Sequence, residues 1–532
     1  MSINKSRTGD SSKTIIRFTS VLSLGTLASR ILGFVRDVLF ARILGTGLPA
    51  EAFYVSFKIP NLLRSFVGEG AMNAALVPVF SEYHDQTDRK QYDQFVSLVF
   101  TAGFFCLMLL TLLGVILAPW LVRLIAPGFI GDAVKLNLAS DLTRLMFPYL
   151  LFIGLTAYAM GYLYVLRRFL VPALSPCLLN ISLILSALSA SIFPCPPVYV
   201  IACGVLIGGL LQLLWHIYAV KQAGMVYHRP RCYQHSGLTK VGKLLLPRML
   251  GSGVYQLTIL IDTLCASLAH IVGYGGIAAV YYANRIILFP MGLFGVSMAS
   301  AVLPGLSSLA AQNNMAEFKK TIHFSLKTVI WIMGLMTVLL LCLSEPIIRL
   351  LFERGAFDRY STMITSSALF FYAFGLMAYA GIKILVSAFH ALQDTKTPVQ
   401  IAFFCLVLNA ILNVVLMFPL KIGGIALASA LASFMNFGAL FYFLNKKVNG
   451  LSQTFKPFFF RVGFIILCTG LGVMRVWEYL SFSSDWLRLM LTGLIGSVVY
   501  ESLSLMLDIE AARAIVVWIQ KQCSGNYTNS IK

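Results

Sequence analysis

Ser29-Arg-Ile-Leu-Gly-Phe-Val-Arg-Asp37 and Glu51-Ala-Phe-Tyr-Val-Ser-Phe-Lys-Ile-Pro-Asn-Leu-Leu-Arg64, with Glu69 just beyond, decide how this chain is read. They place Arg30, Arg36, Asp37, Glu51, Lys58, Arg64 and Glu69 in stretches otherwise apolar enough to cross a bilayer. A charge at mid-membrane costs roughly 2.5–3.5 kcal/mol even on a lenient insertion scale, so seven at that depth would cost on the order of 20 kcal/mol. Positions nearer the interfaces lower that sum without removing it. Such side chains face a protein interior or a hydrated cavity, where they mark the path of something polar or anionic. Buried ion pairs that hold a bundle together are the competing reading. Against it, cations outnumber acids at depth.

The composition agrees with a membrane setting. Of 532 residues, 58% are hydrophobic and 12% charged, and the mean hydropathy is +0.82. Soluble domains carry roughly twice that charge, so the chain reads as a polytopic membrane protein. Its formal net charge of +20 falls in short basic clusters between apolar spans. These suit topology signals and contacts with anionic membrane lipids, and no nucleic-acid partner is expected. The ten cysteines are dispersed, with no C-x-x-C pair, and read as small apolar fillers. His228, Cys232 and His235 share a basic loop at a spacing that fits no standard metal site, so neither a metal nor a cofactor is expected. The polar, basic residues Met1 to Arg17 lack a short apolar core followed by a small-residue cleavage site, so the first span is expected to remain as an anchor.

Apolar stretches of helical length fall at 17–43, 50–81, 95–125, 142–166, 171–193, 197–220, 240–271, 276–309, 322–344, 363–391, 399–419, 423–445, 458–479 and 486–508. The fold expected is all-α, with about fourteen transmembrane helices. The runs are far longer than the roughly ten-residue alternating segments of a barrel. With the N-terminus in the cytoplasm, the loops on that side hold Arg89, Lys90, Arg167, Arg168, Lys221, Arg229, Arg231, Lys319, Lys320, Lys446, Lys447 and others. The opposite loops hold chiefly Arg42, Lys135, Arg349, Arg354, Arg359 and Lys421. A ratio of roughly three to one satisfies the positive-inside rule with both termini inside.

The chain also repeats itself. Pro78 of Leu76-Val77-Pro78, Arg123 of Pro119-Trp-Leu-Val-Arg123 and Pro172 of Arg168-x-x-x-Pro172 each have a counterpart 226 residues on. These lie in Val302-Leu303-Pro304, Pro346-Ile-Ile-Arg349 and Asp394-x-x-x-Pro398. One offset shared by three separated matches argues for two six-helix repeats, related by an axis along the membrane normal, plus two C-terminal helices. The expected organisation is a cytoplasmic N-terminus at 1–16, an N-lobe at 17–220, a cytoplasmic linker at 221–239, a C-lobe at 240–445, two further helices within 446–508 and a cytoplasmic tail at 509–532. Paired halves around a central site are the build of a transporter that rocks between two open states.

At about 100° per residue, Asp37 lies about 20° from Arg30 around the first helix, and Arg36 about 120° away on the same side as Asp37. Two guanidiniums and a carboxylate thus fan over a sector facing one space. Glu51 and Lys58 share a face of the second helix, with Asn61 close to that stripe. Pro60 frees a backbone carbonyl and kinks that helix, which membrane helices tolerate beside a cavity. Tyr281-Tyr282-Ala283-Asn284-Arg285 places another arginine in a span of the second half, with Pro290 a turn and a half later. Arginine offers a planar fork of donors suited to phosphate oxygens and stays charged at any relevant pH. Three arginines converging from both halves would suit a pyrophosphate. The same residues would also serve as a charge gate that opens and closes with the rocking.

Other charges in spans carry less. Arg248, after Pro247, suits snorkelling to the cytoplasmic face. Asp262 suits either a cavity arginine or a coupling cation, and Lys383 lies within the tenth span. Gly204-x-x-x-Gly208 allows close helix packing. The chain has no G-x-S-x-G, no H-E-x-x-H and no phosphate-binding glycine loop ending in Lys-Ser/Thr. That excludes an ATP-driven pump within this chain and leaves an ion gradient, the membrane potential or the substrate's own gradient as the energy source.

Together with Glu69-Gly70, Val77-Pro78, Ala126-Pro-Gly-Phe129 and Gln393-Asp-Thr-Lys-Thr-Pro398, these motifs resemble, in order, those of the MurJ (MviN) lipid II flippases. The resemblance covers nearly the whole chain. It extends to the superfamily that also holds multidrug (MATE) and polysaccharide exporters. It implies fourteen helices, two lobes around a cationic cavity and a lipid-facing groove formed with the last two spans. It also implies export of undecaprenyl-pyrophosphate-linked disaccharide-pentapeptide (lipid II) to the outer leaflet of a bacterial inner membrane, for peptidoglycan synthesis, alongside the cell-wall machinery. By resemblance the substrate-binding set is Arg30, Arg36, Asp37, Arg64 and Arg285. Gating or supporting roles would fall to Ser29, Glu51, Lys58, Asn61, Glu69, Asn284, Asp262 and Lys383. Glu51 stands where an aspartate is usual, and Asn284 and Leu288 stand where some relatives carry acids.

Two competing functions remain at this stage. A polysaccharide-precursor or multidrug exporter of the same superfamily has the same fold and predicts a less cationic cavity. A membrane enzyme acting on lipid-linked sugars needs clustered acids or histidines in outer loops. The outer loops near Pro194–Pro197 and Gly273–Gly276 have none. A purely structural scaffold leaves the buried arginines unexplained.

Overall fold

The computed structural model describes residues 6–67, 71–230, 235–451, 455–480, 482 and 484–523. Side chains are described from Leu24 onward, except those at 63, 65–67, 71–74, 246–255, 515 and 518–523. Glu69, Cys232 and the side chains of Pro247 and Arg248 therefore lie outside the described residues. So do the ends of the N-terminal and C-terminal segments.

Every regular element among the described residues is a helix. The chain divides into two compact units, the first formed by Met1–His270 with Arg354–Phe357, the second by Ile271–Glu353 with Asp358–Lys532. The first unit holds α1 (Ser6–Leu44), α2 (Leu48–Val67), α3 (Ala71–Gln86), α4 (Arg89–Ile116), α5 (Ala118–Ile125), α6 (Ala133–Met146), α7 (Tyr149–Val165), α8 (Leu170–Ser189), α9 (Pro197–Gln222) and α10 (Ser236–Ala266). The short α11 (Ala269–Val272) spans the division. The second unit continues with α12 (Gly276–Pro290), α13 (Ser297–Ala311), α14 (Met315–Phe352), α15 (Arg359–Phe374), α16 (Leu376–Ala391), α17 (Lys396–Leu420), α18 (Ile422–Val448), α19 (Phe455–Tyr479), α20 (Asp485–Met506) and α21 (Glu510–Cys523).

Ten helical segments among the described residues are long and apolar enough to cross a membrane, and the bent pair α15–α16 brings the number to eleven. The architecture is all-helical and multi-span.

Local chemistry sets the breaks. Asp132 caps α6 by accepting the Lys135 N–H at 3.1 Å, and Asp358 caps α15 by accepting the Ser361 N–H at 2.8 Å. These side chains satisfy donors that a helix start leaves bare. Pro290 cannot donate an N–H, and the helix after it widens into a π-helical turn at Met291–Val296. Pro346 acts similarly in α14, where Leu343 is pushed to φ −117° and ψ 17°. In the first unit α1 packs on α8, α2 on α6, and α3, α4 and α9 on α7. In the second, α14 packs on α15, α16 and α19, while α18 packs on α15, α16 and α17. The α14–α19–α20 group also brings Tyr500 Oη to the Trp331 carbonyl at 2.8 Å, deep in the apolar interior.

Candidate functional site

The charged residues of α1 and α2 lie within the first unit. Arg36 is 6% exposed and Asp37 1%. The Arg36 guanidinium donates Nε and Nη2 to Asp37 Oδ1, at 3.0 and 2.7 Å. Its Nη1 donates to Asn180 Oδ1 of α8 at 2.9 Å. Asn180 Nδ2 in turn donates to the Ser29 carbonyl at 3.0 Å and to Ser29 Oγ at 3.2 Å. Arg36, Asp37, Asn180 and Ser29 thus form one network between α1 and α8. A charge buried this deeply persists only when paired and hydrogen-bonded. The network supplies both.

Arg30 lies on the exposed surface of α1 and is not part of that network. Arg64 is half-buried on α2 and donates Nε to Asn61 Oδ1 at 2.8 Å. Glu51 and Lys58 take separate partners. Glu51, 2% exposed, forms an ion pair with Lys135 of α6, itself 5% exposed and seated 4.4 Å from the centre of the Phe129 ring. Lys58 donates its ammonium to Thr263 Oγ1 of α10, next to the buried Asp262. A cation and an acid seven residues apart share a helix face, yet their long side chains turn to whichever neighbouring helix supplies a partner.

The second unit carries Arg285. It is half-buried, with Cζ 4.8 Å from the centre of the Tyr281 ring and Nη2 donating to Tyr281 Oη at 2.8 Å. Stacking on an aromatic face while hydrogen-bonding its hydroxyl fixes the orientation of the guanidinium fork. Asn284 beside it is half-buried, and Leu288 is exposed. Lys383 is exposed on α16.

Asn180 and Lys135 escape a reading of charge in spans. Asn180 is a lone amide inside the apolar run 171–193, and a buried amide needs partners, which is the signal that finds it. Lys135 counts as an outer-loop base by sequence, but it lies in the third position of a capped helix and turns inward. Among the described residues no group of three or more His, Cys, Asp or Glu is placed to hold a metal ion.

Ten to eleven membrane-length helices with arginine, lysine and carboxylates buried among them define a polytopic helical membrane protein. Its fold recurs at low identity in an inward-facing multidrug resistance MATE family transporter of the MOP superfamily, with a TM-score of 0.67 and 15% identity over 80% of this chain and 96% of that one. A family model described as "Lipid II flippase MurJ" matches residues 40–494. A "Probable lipid II flippase MurJ" of Buchnera aphidicola subsp. Acyrthosiphon pisum (strain APS) is 35% identical over 486 residues, 90% of this chain and 94% of that protein. A solved structure described as "Lipid II flippase MurJ, inward closed conformation" aligns with a TM-score of 0.77 and 27% identity, over 91% of this chain and 97% of that one. The chain belongs to the MurJ lipid II flippase family. The matched residues 40–494 include Glu51, Lys58, Arg64 and Arg285, while Arg30, Arg36 and Asp37 precede them.

Proposed function

We propose that this chain is a lipid II flippase. It carries undecaprenyl-pyrophosphate-linked peptidoglycan precursor from the inner to the outer leaflet of a bacterial inner membrane by alternating access, without a catalytic step. The observation that carries the reading is the family match along residues 40–494. The buried, hydrogen-bonded Arg36 and the aromatic-stacked Arg285 support it chemically. Both present guanidiniums prepared to exchange a protein acceptor for a phosphate oxygen.

In this proposal Arg30, Arg36, Arg64 and Arg285 bind the pyrophosphate. Asp37 neutralises and orients Arg36 while the site is empty. Ser29 acts through Asn180. Glu51, Lys58, Asn61, Glu69, Asn284, Asp262 and Lys383 gate or support. Fourteen spans in two six-helix repeats plus two helices, both termini in the cytoplasm, the lobe boundaries stated from the sequence, and contact with cell-wall machinery belong to the same proposal. The repeat offset and basic asymmetry support the arrangement.

Charge balance tests the substrate class. Asn61→Asp adds a carboxylate beside Arg64 and the Lys58 stripe, which raises the cost of bringing in an anionic headgroup and favours a cation. Titration of the purified protein should show weaker lipid II binding in Asn61→Asp and no gain in affinity for cationic drugs above that for lipid II. Tighter retention of cationic drugs than of lipid II by the wild type, strengthened in Asn61→Asp, would place the protein among drug exporters.

A further inference from the structure

In the second unit α14, α19 and the α20–α21 turn enclose a cleft of about 370 Å³, lined by Lys327, Phe458, Arg461, Asp508, Glu510 and Arg513 among others. Two of these charges satisfy each other, Arg513 forming an ion pair with Asp508. Lys327 and Arg461 have no carboxylate at ion-pair distance among the described residues, although Glu510 lines the same cleft. Lys327 is instead poised against two aromatic rings, its Nζ 5.7 Å from the centre of Phe455 and 5.9 Å from that of Phe458. That placement supports an ammonium electrostatically while leaving its N–H donors open to an anion.

The position fits one source of anion. α20 is a membrane-length helix that ends at Met506, and α19 is another that begins at Phe455. The cleft therefore lies where spans meet the headgroup layer. The surface beside it is apolar. Phe460, next to Arg461, is 82% exposed, Phe464 one turn on is 50% exposed, and Met506 is 80% exposed. A free anion has no use for such a border, whereas a lipid presents a phosphate and acyl chains together. Basic pockets between membrane helices are suited to this chemistry.

We infer that this cleft binds the phosphodiester headgroup of an anionic bilayer lipid of the phosphatidylglycerol type, gripped by Lys327 and Arg461 with the acyl chains over Phe460, Phe464 and Met506. Neither Arg36 nor Arg285 is among the residues that line it, and the inference does not depend on the flippase assignment. Occupancy would tie the C-terminal helices to the charge of the surrounding membrane.

The test uses the purified full chain, titrated with phosphatidylglycerol and, separately, zwitterionic phosphatidylcholine, with bound lipid counted by native mass spectrometry. Each of Lys327→Gln and Arg461→Gln should weaken the tightest phosphatidylglycerol binding about fivefold, and the pair about thirtyfold. Phosphatidylcholine binding should not change, and Arg461→Lys should retain the phosphatidylglycerol site. Undecaprenyl pyrophosphate should bind wild type and double variant alike, and millimolar inorganic phosphate should not displace the lipid. The inference is overturned if the folded double variant binds phosphatidylglycerol within twofold of wild type. It is equally overturned if inorganic phosphate displaces the lipid, or if undecaprenyl pyrophosphate is the ligand the variants lose. Should the double variant fail to fold, Arg461→Gln, a change at an exposed side chain, decides the matter alone.

Discussion

Replacing Asn180 by leucine removes the amide that joins Arg36 to Ser29 while keeping the branched shape of the side chain. Arg36 Nη1 then loses its acceptor at 2.9 Å, and the guanidinium around it is only 6% exposed. A hydrogen bond to a charged group contributes about 1.5–3 kcal/mol, and leaving its buried donor unmatched costs in the same range. The Ser29 carbonyl also loses the Nδ2 donor, but it retains the helix geometry of α1, so little is added there. Asn180→Leu should therefore destabilise the protein by about 2–3 kcal/mol, read as a lowered melting temperature of the purified protein. A double-mutant cycle with Arg36→Met should return a coupling of about 1 kcal/mol or more. Asn180→Asp should behave differently. It keeps an acceptor for Nη1 and so spares much of the stability. Its second carboxylate competes with any anion for Arg36, so complementation of a flippase-depleted strain should fall. An Asn180→Leu protein that melts with the wild type, with no coupling to Arg36, would refute the claim that α8 positions this arginine.

The other buried pair should be more costly to break. Glu51→Gln leaves the Lys135 ammonium buried without its carboxylate and should cost about 3–5 kcal/mol, with Glu51→Asp retaining most of the stability; equal melting of wild type and Glu51→Gln would contradict the pairing. A Cβ on Gly128 would collide with the Ser267 backbone carbonyl, so Gly128→Ala should lower stability by about 1–3 kcal/mol, whereas Gly131→Ala, which meets open space, should be neutral in the same melts. The Lys447 ammonium at 2.8 Å and the Thr397 N–H hold the Asp394 carboxyl down at about 2, from its ordinary 3.8. A carboxyl lowered on folding stabilises fully above its unfolded value and loses that contribution as the pH falls through the folded one. Asp394→Asn should therefore lower the melting temperature at pH 7 and less so at pH 3; a gap of constant size would exclude Asp394 as the cause.

Much of the fold is written in run length. The long apolar runs fold as helices, ten or eleven of them among the described residues long enough to cross a membrane, because backbone groups in lipid are satisfied only internally, and prolines 290 and 346 mark disturbances in them. The partners of the charged residues are less legible. Helical periodicity tells where a Cβ points, but Arg36 curls back onto its neighbour Asp37, and Lys58 reaches α10 rather than Glu51. Periodicity within one helix holds no information about the helix across from it, which is why Asn180 and Lys135 were invisible as partners. The Ala126-Pro-Gly-Phe129 motif is a similar case. Its glycine matters because the Ser267 backbone comes close, and Gly128 N donates to Ser267 Oγ at 3.1 Å. Only the folded chain brings those residues together.

In the proposed mechanism lipid II crosses the membrane through this protein while arginine holds its pyrophosphate. The most direct measurement is the leaflet distribution of lipid II in cells depleted of their own flippase and supplied with this chain, using a membrane-impermeant reagent that modifies lipid II only from outside. The wild-type chain should restore outer-leaflet lipid II. Arg36→Ala and Arg285→Ala, at equal membrane level, should leave it inside, and Arg→Lys at either position should restore it in part, because a point charge replaces only some of the bidentate fork. Lipid II that stays in the inner leaflet with the wild-type chain present, or that reaches the outer leaflet equally well with both alanine variants, would contradict this mechanism.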